Sequence, residues 1–153
     1  MDNPIENYQR YKWFFTSSGN LVIGGRSAMQ NDELLKNLKK HGKDYIVMHT
    51  SFPGSPFSVI LLDIEKVKPT DIEETAIFTA CFSRAWRSNK KKTQIDIFKL
   101  SQLYKLKGMN IGMWGIKGKV DKKIVSLELV LAEQKGKLRA VPERSAKEKE
   151  ILL

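Results

Sequence analysis

Leu21-Val22-Ile23-Gly24-Gly25-Arg26-Ser27-Ala28-Met29-Gln30-Asn31-Asp32 decides the fold of this chain. Three apolar residues, two of them β-branched, form a strand. Two glycines then permit a sharp bend, since glycine tolerates positive φ. Ser27 is a helix cap, with Gln30 three residues on as its capping-box partner. The stretch therefore reads as strand, tight turn and helix start. Ala28, Leu34, Leu35 and Leu38 make the apolar stripe of that helix, while Lys36, Lys39 and Lys40 face water. His41-Gly42 ends it. Asn31 lies on or beside the stripe and needs a hydrogen-bond partner there.

Upstream, residues 8–23 read as a β-hairpin, with Tyr11, Trp13 and Phe15 alternating with Lys12, Phe14 and Thr16 around a Ser17-Ser18-Gly19-Asn20 turn. Downstream, 44–50 and 57–62 are strands apolar on both faces, which places them at a sheet centre. Between them His49-Thr50-Ser51-Phe52-Pro53-Gly54-Ser55-Pro56 supplies a turn, with Pro53-Gly54 suited to type II geometry. Pro69-Thr70 opens a second helix, capped by Thr70 and Glu73. It is apolar nearly all round from Ala76 to Phe82 and emerges at Arg84, Arg87, Lys90, Lys91 and Lys92. From 93 to 141 the pattern returns to β, as a second sheet region with turns at Lys107-Gly108, Gly118-Lys119 and Lys135-Gly136-Lys137. Glu143–Glu150 alternates charge and reads as a short helix or a frayed tail. The expected architecture is α+β, a single domain with a mixed or antiparallel sheet and two main helices.

Composition narrows the function. The chain has 153 residues, 41% hydrophobic and 29% charged, which is globular composition long enough for a real core. One cysteine rules out an intramolecular disulfide, and Cys81 sits in an apolar run as a core thiol. No stretch approaches a membrane span, and the polar, acidic N-terminus is unlike a signal peptide, so a cytoplasmic protein without membrane contact is expected. Residues 1–82 hold 9 Lys/Arg and 10 Asp/Glu; residues 83–153 hold 18 and 7. The net +10 therefore belongs to the second half, which suggests a polyanion partner; a solvated lysine surface is the bland alternative.

Metal or cofactor chemistry is not expected: two His and one Cys show no ligand spacing. Gly24-Gly25-Arg26 lacks the Lys-Ser/Thr of a P-loop, and the glycines of 112–118 lack a following helix. A thiol buried like Cys81 resists ionisation. His49 ends a buried strand on the face of Tyr45 and Val47; it is a hydrogen-bonded core residue or, less readily, an acid/base. Arg26 precedes a helix N-terminus, where anions are favoured; a salt bridge is its structural alternative. Asn31 is most cheaply a structural amide tying the helix to the next strand. Trp86 lies beside Arg84 and Arg87, and Trp114 beside Lys117 and Lys119. Aromatics interleaved with cations suit base stacking with phosphate contact, although core packing is the ordinary role of each Trp.

Together these segments resemble the RNA-binding domain of the NFACT family, the ribosome-associated quality-control factors. The resemblance rests on four motifs in order: Trp13-Phe14-Phe15-Thr16 through Gly24-Gly25-Arg26 to Gln30-Asn31; His49, Pro53, Gly54 and Ser55; Ser83-Arg84-Ala85-Trp86; and Gly112, Trp114, Ile116, Lys117, Gly118 and Lys119. Ser27 departs from the family's usual Asp, and Thr50-Ser51-Phe52 replaces a more acidic segment. The resemblance implies an RNA-binding module in translation quality control, residues 1–142, with 143–153 as a charged tail. It looks like a stand-alone version, and a larger partner could supply the other family domains. Structured RNA, tRNA or rRNA, and the ribosome are the expected partners; DNA stays open. Phosphate contact is expected from Arg84, Arg87, Lys90, Lys91, Lys92, Lys117, Lys119, Lys122 and Lys123. Arg26, Asn31 and His49 would shape a pocket for a phosphate or a flipped base, or simply brace helix against sheet. The alternatives are a protein-docking module of a ribosome-associated assembly and, ranked lowest, an RNA- or nucleotide-directed enzyme using His49. No enzymatic activity is expected.

Overall fold

Apolar residues on both faces of the early strands force a sheet covered on both sides. In the computed structural model, which describes residues 5–146 and 151–152, that sheet has six strands. They are β1 (Lys12–Phe15), β2 (Leu21–Gly24), β3 (Ile46–Thr50), β4 (Ser58–Ile60), β5 (Lys92–Lys99) and β8 (Asp121–Ser126), in the order β1-β2-β4-β3-β5-β8. All its pairings are antiparallel. Alternation then sorts the side chains. Trp13, Ile23, Val59, Val47 and Phe98 point to one face and pack under α1 (Ala28–Lys40) through Leu34, Leu35 and Leu38. Phe14, Val22, Ile60 and Met48 point to the other and meet α2 (Pro69–Cys81) through Ala76, Phe78 and Ala80.

The predicted hairpin and α1 are present. Ser27 Oγ accepts from the Gln30 N–H at 3.1 Å, but Gln30 reaches one residue further back than a capping box requires, to the Arg26 N–H at 2.7 Å. The glycines before α1 have no positive φ. Gly25 is needed for space: a Cβ there would lie 2.1 Å from Asn31 Oδ1. Gly54, at φ +105°, does take the left-handed conformation expected of the Pro53-Gly54 turn.

Three expectations change. α2 starts at Pro69 with Lys68 as its cap residue, whose N–H donates to Asp71 Oδ2 at 3.0 Å; Thr70 and Glu73 are not the cap pair. The helix also does not run on through the cations. It stops at Cys81, and a separate turn, α3 (Arg84–Arg87), begins with Ser83 Oγ accepting from the Ala85 N–H. The Arg84 N–H donates to Gly54 O at 2.9 Å, so the Pro53-Gly54 turn holds α3 in place. Finally, β5 and β8 join the first sheet instead of forming a second. The remaining strands make two small sheets: β6 (Leu103–Tyr104) with β7 (Gly115–Ile116), and β9 (Val130–Gln134) between β10 (Lys137–Val141) and β11 (Ile151–Leu152). In the segment read as a helix or frayed tail, Glu143–Ser145 is one 3-10 turn, 147–150 lie outside the described residues, and 151–152 pair with β9.

Two carboxylates on α2 are fully buried. Asp71 accepts from Thr16 Oγ1 at 2.7 Å and Asn20 Nδ2 at 3.1 Å. Glu74 accepts from Ser17 N–H and Oγ at 2.7 and 2.6 Å and from Ser145 Oγ at 2.6 Å. The hairpin turn and the chain's later part are thus clasped to α2 by charge-assisted hydrogen bonds.

Candidate nucleic-acid interface

Antiparallel order brings the start of β1, the end of β2, the end of β3 and the start of β4 to the same end of the sheet. The N-terminus of α1, α3 and the loops 51–57 and 110–114 close around that end. They enclose an open cleft of about 1010 Å³. Its floor carries Asn31, His49 and Phe57, and its walls carry Lys12, Arg26, Arg84 and Arg87.

Asn31 is 7% exposed. Its Oδ1 accepts from the Phe57 N–H at 3.1 Å, a structural tie as expected but to the entry of β4, one strand beyond the next strand β3. That Oδ1 also fills the space where a Gly25 Cβ would stand. The amide Nδ2 makes no hydrogen bond to a described residue. His49 packs against Phe57 with the rings tilted by 36° and their centroids 4.4 Å apart, and its Nδ1 lies 2.7 Å from Thr50 O. A carbonyl only accepts, so Nδ1 carries the hydrogen and Nε2 is the ring's acceptor in the neutral form. Burial pushes the His49 pKa below the usual imidazole value, opposed by the Thr50 carbonyl and by Asp96. Asp96 is the residue directly across the ladder from His49, on the same face. It was not anticipated; it accepts from Ser51 Oγ at 2.6 Å and from Lys122 Nζ at 2.7 Å.

Arg26 lies at the rim, and among the described residues it forms no salt bridge. Its Nε donates to Arg10 O at 3.1 Å, and Nη2 reaches Tyr11 O at 3.5 Å. Beside it stands Lys12, which the sequence did not single out. Its ammonium sits 4.3 Å from the Phe82 ring centroid. Burial, then the charges of Arg26 and Arg87, lower its pKa. None of the ion pairs among the described residues involves Lys12, Arg26, Arg84 or Arg87. Asp96 also lines the cleft but is held by Ser51 and Lys122, so these four cations stand without a direct carboxylate partner, which favours an anion from outside.

Aromatic surface lies among these cations. Trp86 is 38% exposed and Phe52 64% exposed, and both line the cleft. Lys90 Nζ lies 5.7 Å from the Phe52 centroid. Phe52 also escaped the sequence reading; its signal was an apolar residue inside an otherwise polar turn. Trp114 has a different role from Trp86. Its Nε1 donates to Asp32 Oδ1 at 2.8 Å, and it packs against the core under α1. Asp32 also accepts from the Gly112 N–H at 3.1 Å and pairs with Lys105 at 3.0 Å, which pins the 110–114 wall to α1.

The remaining cations do not line the cleft. Lys91 and Lys92 lead into β5. Lys117 covers the Tyr104 ring at 5.1 Å, and the Lys119 carbonyl accepts from Gln102 Nε2 at 2.8 Å. Lys122 is paired with Asp96, and Lys123 with Glu73 at 2.7 Å. Cys81 is buried beside the cleft, and burial pushes its thiol pKa up to about 12. Among the described residues no group of three or more His, Cys, Asp or Glu could hold a metal ion, and no helix is long and apolar enough to cross a membrane.

A six-stranded antiparallel sheet with a basic, aromatic-rimmed cleft at one end is the framework of a nucleic-acid-binding module. Residues 10–118 match the family model described as the NFACT protein RNA binding domain, and the chain belongs to that family. It is 39% identical over 80 residues to the Archaeal Rqc2 homolog aRqcH of Methanocaldococcus jannaschii, covering 52% of this chain and 12% of that protein. It is 30% identical over 80 residues to the human Ribosome quality control complex subunit NEMF, covering 52% of this chain and 7% of that protein. The chain thus aligns with only a small part of these relatives. The C-terminal part of the fibronectin/fibrinogen-binding protein from Streptococcus suis shares the fold, with a TM-score of 0.61 and 24% identity over 76% of this chain and 44% of that one.

Proposed function

We propose that this chain binds structured RNA, tRNA or rRNA, in a ribosome quality-control setting in the cytoplasm, and that the cleft is its binding site. The observation that carries the reading is the gathering of Lys12, Arg26, Arg84 and Arg87 on one cleft without a carboxylate partner, next to the exposed rings of Trp86 and Phe52. Cations hold phosphate, and aromatic faces hold bases. Family membership and the ribosome quality-control names of the relatives support the same reading. Lys90, Lys91 and Lys92 extend the positive surface beyond α3. We propose binding without chemical action on the RNA. Asp96, the carboxylate across from His49, is already occupied by Ser51 and Lys122 and gives His49 no free acid/base partner, which favours a positioning role over proton transfer.

The test is a salt titration of binding to tRNA, rRNA fragments and duplex DNA in parallel. RNA should bind more tightly than DNA, with affinity falling by orders of magnitude between about 50 and 200 mM salt if about six phosphates are engaged. Equal, weak binding to all three, absent at physiological salt, would overturn the reading.

A further inference from the structure

The cleft has a floor that paired RNA does not need. Phosphates on a duplex surface would be satisfied by the rim cations alone. Yet the floor presents a buried amide, Asn31, whose Oδ1 is spent on Phe57 while Nδ2 has no described partner. It also presents His49, whose Nδ1 is spent on Thr50 and whose Nε2 is left as an acceptor. Neither atom is fully enclosed, so both open onto the cleft, where a ligand can meet them in place of water. A donor and an acceptor held on a floor beside the Phe57 ring therefore match the hydrogen-bonding edge of a planar, polar ring. Single-stranded RNA offers such rings, because unstacked bases expose their edges and both faces. In a duplex the same edges are paired.

The rim completes the fit. Phe52 and Trp86 leave large aromatic surface in water, which folded proteins keep for binding. Arg84 and Arg87 flank Trp86 in the sequence and line the same cleft, in place for the phosphates on either side of a base. Lys12 and Arg26 supply positive charge on the β1 and α1 side. The Gly54 turn bears directly on the Arg84 side chain, since a Cβ there would meet Arg84 Cγ at 2.5 Å, so the wall that carries Arg84 is braced and not left to float.

We infer that the cleft takes one unpaired nucleotide of an RNA, its base seated over Asn31 and His49 and its phosphates on the arginines of the rim. The inference rests on the RNA-binding reading and adds the local structure of the ligand: a bulge, a loop or an overhang, in preference to continuous duplex. The floor's donor and acceptor occur together on the edge of every base, so the site selects an unpaired base without fixing its identity.

The experiment uses a blunt RNA duplex and the same duplex with one bulged 2-aminopurine nucleotide, both titrated with the full chain at low salt. The bulged duplex should bind about tenfold more tightly. Its 2-aminopurine fluorescence should change on binding. Trp86→Ala and Asn31→Ala should each bring the bulged duplex down to the affinity of the blunt one. Trp86 is exposed, so W86A keeps the test valid should N31A weaken the α1 anchor; melting curves of both variants identify that case. Equal affinities for the two duplexes with no change in fluorescence would overturn the nucleotide pocket and leave RNA binding standing. No binding of either RNA would overturn both.

Discussion

At the scale of single residues, the cleft depends on atoms that leave no tolerance. Gly25 is held by Asn31, whose Oδ1, Cγ and backbone N would lie 2.1 to 2.7 Å from an added Cβ. Gly25→Ala should therefore displace Asn31, strand the Phe57 N–H and cost about 1–3 kcal/mol or more, read as a lower urea midpoint at unchanged slope. Cys81, with its pKa pushed up to about 12, should react with a thiol reagent near neutral pH only after unfolding; rapid native-state labelling would contradict its burial. His49 gives a pH signature. Its folded pKa lies below the usual 6.5, so the unfolded chain binds more protons through the window between the two values. Stability should rise with pH across that window and level off above about 6.5. His49→Gln should remove this rise, measured as the urea midpoint against pH; an unchanged slope would place the titration elsewhere.

Elements set how the cleft walls are held. The 105–114 loop is latched to α1 by Asp32 through Lys105, Trp114 and the Gly112 N–H. Burial pushes the Asp32 pKa up, but those three partners outweigh it and the net direction is down. The latch therefore contributes stability above the ordinary carboxylate range and loses it as pH falls through the lower folded value. Asp32→Asn leaves the Lys105 charge unpaired in a mostly buried place and should cost about 3 kcal/mol, with an altered Trp114 environment in the emission spectrum. The elements legible in the sequence were those with local signals: the aromatic hairpin, α1 with Ser27 as cap, and the Pro53-Gly54 turn. The break between α2 and α3 was not legible. Phe82-Ser83 contains neither glycine nor proline, and the stop depends on Gly54 O, about thirty residues away. The burial of Asp71 and Glu74 was hidden for the same reason, because their donors lie on the hairpin turn and at Ser145. Arg26, Asn31, His49, Arg84, Trp86 and Arg87 were nameable from motifs, and all line one cleft. Lys12 and Phe52 were not, since only strand order places the start of β1, on its α2-facing side, and the turn after β3 beside them.

For the whole molecule, the charge asymmetry of the sequence is only part of the electrostatics. The second half carries the excess of cations, yet folding adds Lys12 and Arg26 from the first half to the cleft and ties Lys122 and Lys123 to Asp96 and Glu73. Ion-paired lysines contribute less to phosphate binding than the cleft cations, so the count of basic residues overstates the footprint. Lys122→Ala with Lys123→Ala should change RNA affinity less than any pair of cleft cations. The most direct measurement is the salt dependence of tRNA binding by the wild-type chain and by the Arg84→Ala, Arg87→Ala double variant. The wild-type slope of log K against log salt should be steep and become shallower by about two in the variant, with weaker binding at every salt concentration. A variant with the wild-type slope and affinity would show that the cleft is not where the RNA is held.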